Sequence, residues 1–212
     1  MEPFKVTVKL ATPMLVSGPV MLDSLLAWCA VQEAGGEWAA GDTLPLVERE
    51  KLGAKYWAAS KFFYTSTPAQ QTHMTKRTQA AKMARFTDSK IYLNPGSGKN
   101  KQYHEMLKPV HASELVAFGV GDIDEVDYLL RRLTHFGKNV RAGYGRVSSV
   151  DVEPFKQDWS ENIDGQLVRN IPSEKADGMG GYRAPYWDKT KWMPIEFATT
   201  HIPEGVLNII NE

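Results

Sequence analysis

Cysteine is nearly absent from this 212-residue chain, in which Cys29 stands alone. A single thiol excludes an intrachain disulfide and a cysteine cluster, and it fits a reducing cytoplasm. Cys29 also falls on an apolar helical stripe, without the polar surroundings of a nucleophilic thiolate. There is no run of about 18 apolar residues, so no membrane-spanning helix is expected. Met1-Glu2-Pro3-Phe4-Lys5 leads straight into a strand pattern and lacks a signal-peptide core. Net charge is missing too, because 25 Lys and Arg balance 25 Asp and Glu. That balance argues against a uniformly basic nucleic-acid binder. His73, His104, His111, His135 and His201 form no cluster with Asp or Glu at metal-ligand spacing. Gly98-Lys99 is like part of a phosphate loop, but Leu93 holds the first glycine position and Asn100 replaces the Ser or Thr. Nucleotide hydrolysis by a P-loop is excluded on that ground.

What charge there is lies unevenly. Residues 55–108 hold ten basic side chains: Lys55, Lys61, Lys76, Arg77, Lys82, Arg85, Lys90, Lys99, Lys101 and Lys108. Asp88 and Glu105 are the only acids of that span, so it carries +8 and the remainder carries −8. This asymmetry predicts one face for a polyanion and other faces for protein neighbours. A solvated lysine-rich loop is the simpler alternative. His73, beside Lys76 and Arg77, is the histidine in the best chemical company for acid–base work or for RNA stacking.

Periodicity supplies the fold expectation. Phe4, Val6, Val8 and Leu10 alternate with polar residues, as in a half-buried strand. Leu22, Leu25, Leu26 and Cys29 mark a helix from about Val20 to Ala34, stopped by Gly35-Gly36. Residues 37–53 look like a polar, acidic connection. Lys55 to Thr65 is strand-prone, with a bend expected near Ser60 because its aromatics do not alternate. Thr65 to Lys90 is polar, and Thr75 to Phe86 has good helix formers on a thin apolar stripe. This excursion, roughly 65–108, reads as a basic insertion. Met106 to His111 and Leu115 to Val120 suggest two strands. Asp122 and Glu125 have capping-box spacing, and Val126, Leu129, Leu130 and Leu133 repeat a helical stripe. Val147, Val150 and Val152 make a last strand with a bulge near Ser148-Ser149. The order is βαββαβ, that of an α+β, ferredoxin-like (RRM-like) domain over residues 1–153. Residues 154–212 form an irregular, aromatic-rich C-terminal extension expected to pack on that domain or a partner, with a strand over Gln166 to Ile171.

Between the second helix and the last strand runs His135-Phe136-Gly137-Lys138-Asn139-Val140-Arg141-Ala142-Gly143-Tyr144-Gly145-Arg146-Val147. Its glycines permit positive φ and close approach of backbone N–H groups. Lys138, Arg141 and Arg146 supply charge and Tyr144 a stacking face, a combination that suits a nucleic-acid backbone. A glycine C-cap followed by a tight turn would produce a similar pattern.

Gly137 to Gly145 resembles the glycine-rich loop of the RAMP superfamily of CRISPR-associated proteins, where it joins the second helix of a ferredoxin-like fold to its last strand. Pro19-Val20-Met21-Leu22-Asp23-Ser24-Leu25-Leu26 resembles the start of that family's first helix. His135 stands where the commonest pattern has another glycine. The whole is most similar to the Cas-five-like subunit of type IV effector complexes. That resemblance implies a noncatalytic, cytoplasmic subunit that recognises the 5′ handle of the guide RNA (crRNA) and caps a filament of Cas-seven-like backbone subunits. Its partners would include the large subunit of the complex, with target DNA nearby, and no cofactor. On this reading the RNA-binding residues are Lys138, Arg141, Gly143, Tyr144, Gly145 and Arg146 of the loop, with Lys61, His73, Lys76, Arg77, Lys82 and Arg85 of the basic segment. Gly143→Val is expected to impair RNA capture. Some relatives cut precursor guide RNA without metal, so an endoribonuclease using His73 is the alternative. An unrelated ferredoxin-like binding module is a third.

Overall fold

The structure, a computed structural model, describes residues 1–77, 96–97 and 101–210. In chain order it has β1 (Glu2–Leu10), α1 (Leu22–Glu33), β2 (Glu48–Lys51), β3 (Ala54–Trp57), β4 (Thr67–Pro68), β5 (Thr72–Lys76), β6 (Tyr103–Leu107), β7 (Val110–His111) and β8 (Glu114–Gly121). There follow α2 (Ile123–Leu130), β9 (Val147–Pro154), β10 (Asn162–Ile163), β11 (Gln166–Leu167), β12 (Ile171–Pro172), β13 (Gly178–Gly180), β14 (Met193–Glu196) and α3 (Glu204–Ile210). This is a mixed α/β architecture with few helices and several small antiparallel sheets among the described residues.

The central sheet has the order β8-β1-β9, antiparallel throughout. Phe4, Val6 and Val8 of β1 point to one face, where they are fully buried with Leu22, Leu26, Val126 and Leu130 of α1 and α2. Each such side chain contributes about 1.5–3 kcal/mol through burial. The helices are tied to each other at the surface, where Glu33 accepts from Tyr128 Oη at 2.8 Å and pairs with Arg132. Lys9 faces Ser149 and Leu10 faces Val147, which leaves Ser148 as the extra residue of a bulge at the expected place.

On the free edge of β8, residues 58–63 add an irregular strand. Ser60 N–H donates to Phe118 O and Phe63 N–H to Val116 O, both at 2.8 Å. On its other side, Lys61 N–H donates to Val168 O and Phe62 N–H to Val20 O. Bonded on both edges, all six residues are buried, which is why their aromatics do not alternate. The chain bends at Ala58, and the Ser60 hydroxyl accepts from Phe118 N–H at 2.9 Å.

Behind the sheet, Val116 and Phe118 meet a second cluster built by the C-terminal chain, with Ile163, Val168 and Val206. Phe155 packs tilted and Trp159 edge-on against Phe118, with centroids at 5.1 and 5.0 Å. The same chain sends Arg169 into the interior, fully buried. Its guanidinium donates to the carbonyls of Trp57, Ala59 (2.9 Å) and Tyr182 (2.6 Å) and lies 3.8 Å from Asp23. Asp23, equally buried on α1, accepts the Tyr186 hydroxyl at 2.9 and 3.0 Å. Burial holds the Asp23 carboxyl above its ordinary range against the pull of Arg169 and Tyr186. Burial also pushes the Cys29 thiol up to about 12, leaving it a packing residue.

Three stretches differ from their sequence reading. The connection 37–53 contains a 3-10 turn, Trp38–Asp42, and the hairpin β2-β3. Strand β2 reads Glu-Arg-Glu-Lys, without apolar alternation, and depends on pairing to β3 and on the 2.9 Å Glu48–Lys55 ion pair. Thr75 and Lys76, assigned to helix formers, lie in β5, because Thr75 pairs with His104 and Lys76 with Tyr103. The rest of that candidate helix lies outside the described residues. Gln166 to Ile171 divides into β11 and the start of β12, interrupted where Arg169 turns inward.

The cap on α2 is as expected, with Asp122 Oδ1 accepting from Glu125 N–H at 3.2 Å. Asp122→Ala should cost about 1 kcal/mol of stability, and Asp122→Asn only a few tenths. Urea denaturation of both variants measures the difference.

Candidate nucleic-acid interface

The chain between α2 and β9 is held against residues 10–15, the strip that follows β1. Ala11 N–H donates to Arg146 O at 2.8 Å, Gly145 N–H to Pro13 O at 2.8 Å, and Lys138 N–H to Leu15 O at 2.7 Å. Phe136 N–H donates to Gly145 O at 2.7 Å and closes the loop on itself. Thr12 adds a side-chain latch: its Oγ1 donates to Gly143 O and accepts from Arg146 N–H, each at 2.8 Å. Four residues of the loop, Lys138, Gly143, Gly145 and Arg146, are therefore braced from below by four of the strip, Ala11, Thr12, Pro13 and Leu15.

The two inner glycines are not equivalent. Gly145 is buried at φ +66°, and a Cβ there would collide with the Phe136 carbonyl. Gly143 is exposed at φ +86°, and a Cβ would meet nothing within 4 Å. One holds the loop closed; the other leaves backbone open to an approaching chain.

Lys138, Arg141 and Arg146 are exposed, and among the described residues their side chains make no hydrogen bond or ion pair. Tyr144 is half-buried. A fixed backbone presenting three unspent cations and a tyrosine ring is suited to phosphates and bases.

The other edge of the strip carries the foot of the basic insertion. Met14 and Val110 exchange backbone hydrogen bonds at 2.9 and 3.0 Å, and Leu10 N–H donates to Ser113 O. From there β4 pairs with β7, and β5 pairs with β6 as an exposed two-stranded ribbon. Through their backbone, Ala11, Pro13 and Leu15 serve the loop while Leu10 and Met14 serve the foot of the ribbon, the period of an extended chain; Thr12 reaches the loop by its side chain. Loop and ribbon are thus anchored to the same six residues.

His73 and Lys76 lie on β5, with Arg77 exposed just beyond. The His73 ring stacks on His104 of β6 at 4.9 Å and 9°, and His104 Nδ1 hydrogen-bonds Thr75 Oγ1 at 2.6 Å. Thr75, Lys76, Arg77, Tyr103 and His104 line a shallow cavity of about 270 Å³. Lys82 and Arg85 lie outside the described residues. Lys61 is placed differently from the rest: it is buried, its ammonium donates to Thr199 O, and burial lowers its pKa. Sequence reasoning did not find Thr12 or Tyr103 as members of this surface. No motif marks them, and their role comes from strand register.

The family model for CRISPR type IV associated protein Csf3 matches residues 2–197. The chain belongs to the Csf3 family. It is thereby a type IV CRISPR-associated protein and a component of the effector machinery of those systems. The match takes in the central sheet, the glycine loop, the ribbon and most of the C-terminal extension. No curated protein matches the chain. Among the described residues, no three His, Cys, Asp or Glu side chains are grouped to hold a metal, and no helix is long and apolar enough to cross a membrane.

Proposed function

We propose that the chain is the noncatalytic guide-RNA-binding subunit of a type IV effector complex, a Cas-five-like member of the RAMP superfamily. It recognises the 5′ handle of the guide and caps a filament of Cas-seven-like backbone subunits, beside the large subunit and target DNA. The observation that carries this reading is the braced glycine loop with Lys138, Arg141 and Arg146 unspent at its surface. We also read residues 1–153 as a ferredoxin-like domain. Supporting it, residues 58–63, β8, β1 and β9 lie side by side in that order, with α1 and α2 packed in one core on one face. His73, Lys76 and Arg77 on the ribbon extend the RNA track from the loop, with Lys82 and Arg85 proposed to continue it. Lys61 is left out, because its ammonium is already bound inside the protein.

The stacked pair His73–His104 favours binding over cutting. Metal-independent cleavage needs a base at the 2′-hydroxyl and an acid at the leaving oxygen, on opposite sides of one phosphorus. Rings 4.9 Å apart and nearly parallel leave no room for a phosphodiester between them, but offer a flat face to a base. The chain incubated with repeat RNA in EDTA should leave it intact. Cleavage at one site, lost in His73→Ala, would promote the endoribonuclease alternative.

Replacing Lys138, Arg141 and Arg146 together by Ala should weaken handle-RNA binding and flatten its salt dependence. Three lost phosphate contacts reduce the slope of log K against log salt by about 2. A triple variant with the wild-type slope would remove the loop from the interface.

A further inference from the structure

On the side of α1 that faces the C-terminal extension lies an apolar groove of about 820 Å³. Its walls are α1, the Trp38–Asp42 turn and the segment 184–191. Trp28, Trp38 and Trp187 stand along it, with Trp38 and Trp187 each 71% exposed and meeting edge to face at 6.4 Å. Its floor is firm, because Tyr186 is anchored to buried Asp23. Neither the glycine loop nor the ribbon contributes to it.

Charge decides what could occupy it. From Leu10 to Glu48 the chain has five acids and no Lys, Arg or His. Asp23 is buried, Glu33 pairs with Arg132, and Glu48 pairs with Lys55 and Arg183. Glu37, beside Trp38, has no side-chain partner among the described residues, and Asp42 on the rim meets Lys191 only at 3.7 Å. The lysines of the opposite wall are engaged, Lys191 with Asp42 and Lys189 over the Trp192 ring at 5.6 Å. A polyanion would be repelled from the α1 side of this groove. Lysine or arginine would find the unspent Glu37 carboxylate, the loosely paired Asp42 and tryptophan faces there.

We infer that the groove is a docking site for a neighbouring protein subunit, which lays an apolar or aromatic side chain against Trp38 and Trp187 from a segment flanked by lysine or arginine. This rests on the effector-subunit reading and gives the acidic face of the molecule a protein partner while the basic face holds RNA. Tryptophans in a groove of this depth are typical anchors of an interface.

The test uses the assembled effector complex with a photo-crosslinking phenylalanine analogue in place of Trp38. The expected product joins this chain to another protein subunit, at a segment bearing at least two Lys or Arg beside an apolar residue. Trp38→Ala with Trp187→Ala, and separately Glu37→Lys with Asp42→Lys, should each weaken association with that subunit about tenfold or more. Handle-RNA binding by the same variants, measured on the chain alone, should stay within about twofold, so a failure of RNA recognition would show separately. Crosslinking to the guide RNA, to a second copy of this chain or to an acidic segment would overturn the inference. So would the absence of any crosslink, or assembly indifferent to all four substitutions.

Discussion

Arg169→Met is expected to destabilise the chain by about 3–5 kcal/mol, the range for removing one partner of a buried ion pair. The guanidinium binds the carbonyls of Trp57 and Ala59, on either side of the bend at Ala58, and that of Tyr182 in the C-terminal extension. It also lies 4.9 Å from the Tyr56 ring centroid. Without it, two buried carbonyls, the half-buried one of Tyr182 and the Asp23 carboxylate lose their donor or counter-charge at once. Arg169→Lys should recover little, since one ammonium cannot fork to three carbonyls and a carboxylate. In the Arg169→Met background, Asp23→Asn should restore only part of the loss, because the carbonyls stay unsatisfied. Chemical denaturation of the three single variants and the double variant measures the coupling.

The pH profile gives an independent reading. Burial, opposed by Arg169 and Tyr186, raises the Asp23 carboxyl above its ordinary 3.8 in the folded chain. The folded state therefore binds this proton more tightly than the unfolded state. Its contribution is fully present below 3.8 and is lost as pH rises through the raised value. Asp23→Asn should remove that decline. Arg169→Met should extend it to higher pH. A stability profile unchanged by Asp23→Asn would mean that the carboxyl titrates normally.

Local pattern made the central elements readable. Alternation in Phe4 to Leu10, the stripe from Leu22 to Cys29 and the Asp122 cap are all decided by neighbours a few residues away, so the sequence carries them openly. The glycine loop was legible for the same reason: three of its four positive-φ positions hold glycine, and the fourth holds Asn139, the side chain that best tolerates that region. What stayed hidden was long-range. Nothing near Thr12 announces that its hydroxyl holds Gly143 and Arg146, over 130 residues away. Strand β2 has no apolar period because it lies on the surface and depends on its partner. Lys61 shows the same limit from the other side. Its neighbours in sequence put it in a basic segment, whereas its neighbours in space are Thr199, Val168 and the Phe63 ring. One signal was present and unread: Asp23 sits inside an apolar stripe, a position where a carboxylate must have a buried partner.

The glycine loop supplies the second large effect. Gly145→Ala should reduce handle-RNA affinity on the order of 100-fold, about 2.7 kcal/mol. Left-handed φ costs a side chain about 1–2 kcal/mol, and here the added Cβ also collides with the Phe136 carbonyl. The loop must then release the Gly145–Pro13 or Phe136–Gly145 hydrogen bond, and Lys138, Arg141 and Arg146 lose their common frame. Gly143→Ala carries the φ cost alone, since its Cβ meets open space, and should lower affinity less than about tenfold. Gly143→Val should do more, by placing a branched side chain where RNA backbone would approach. The order Gly145→Ala, then Gly143→Val, then Gly143→Ala is what bracing by the strip requires. Circular dichroism of each variant separates loss of the loop from loss of the fold, because the central sheet and its two helices do not depend on the loop for their own pairing. A folded Gly145→Ala chain that binds RNA as wild type would show that the closed loop is not the RNA-binding frame.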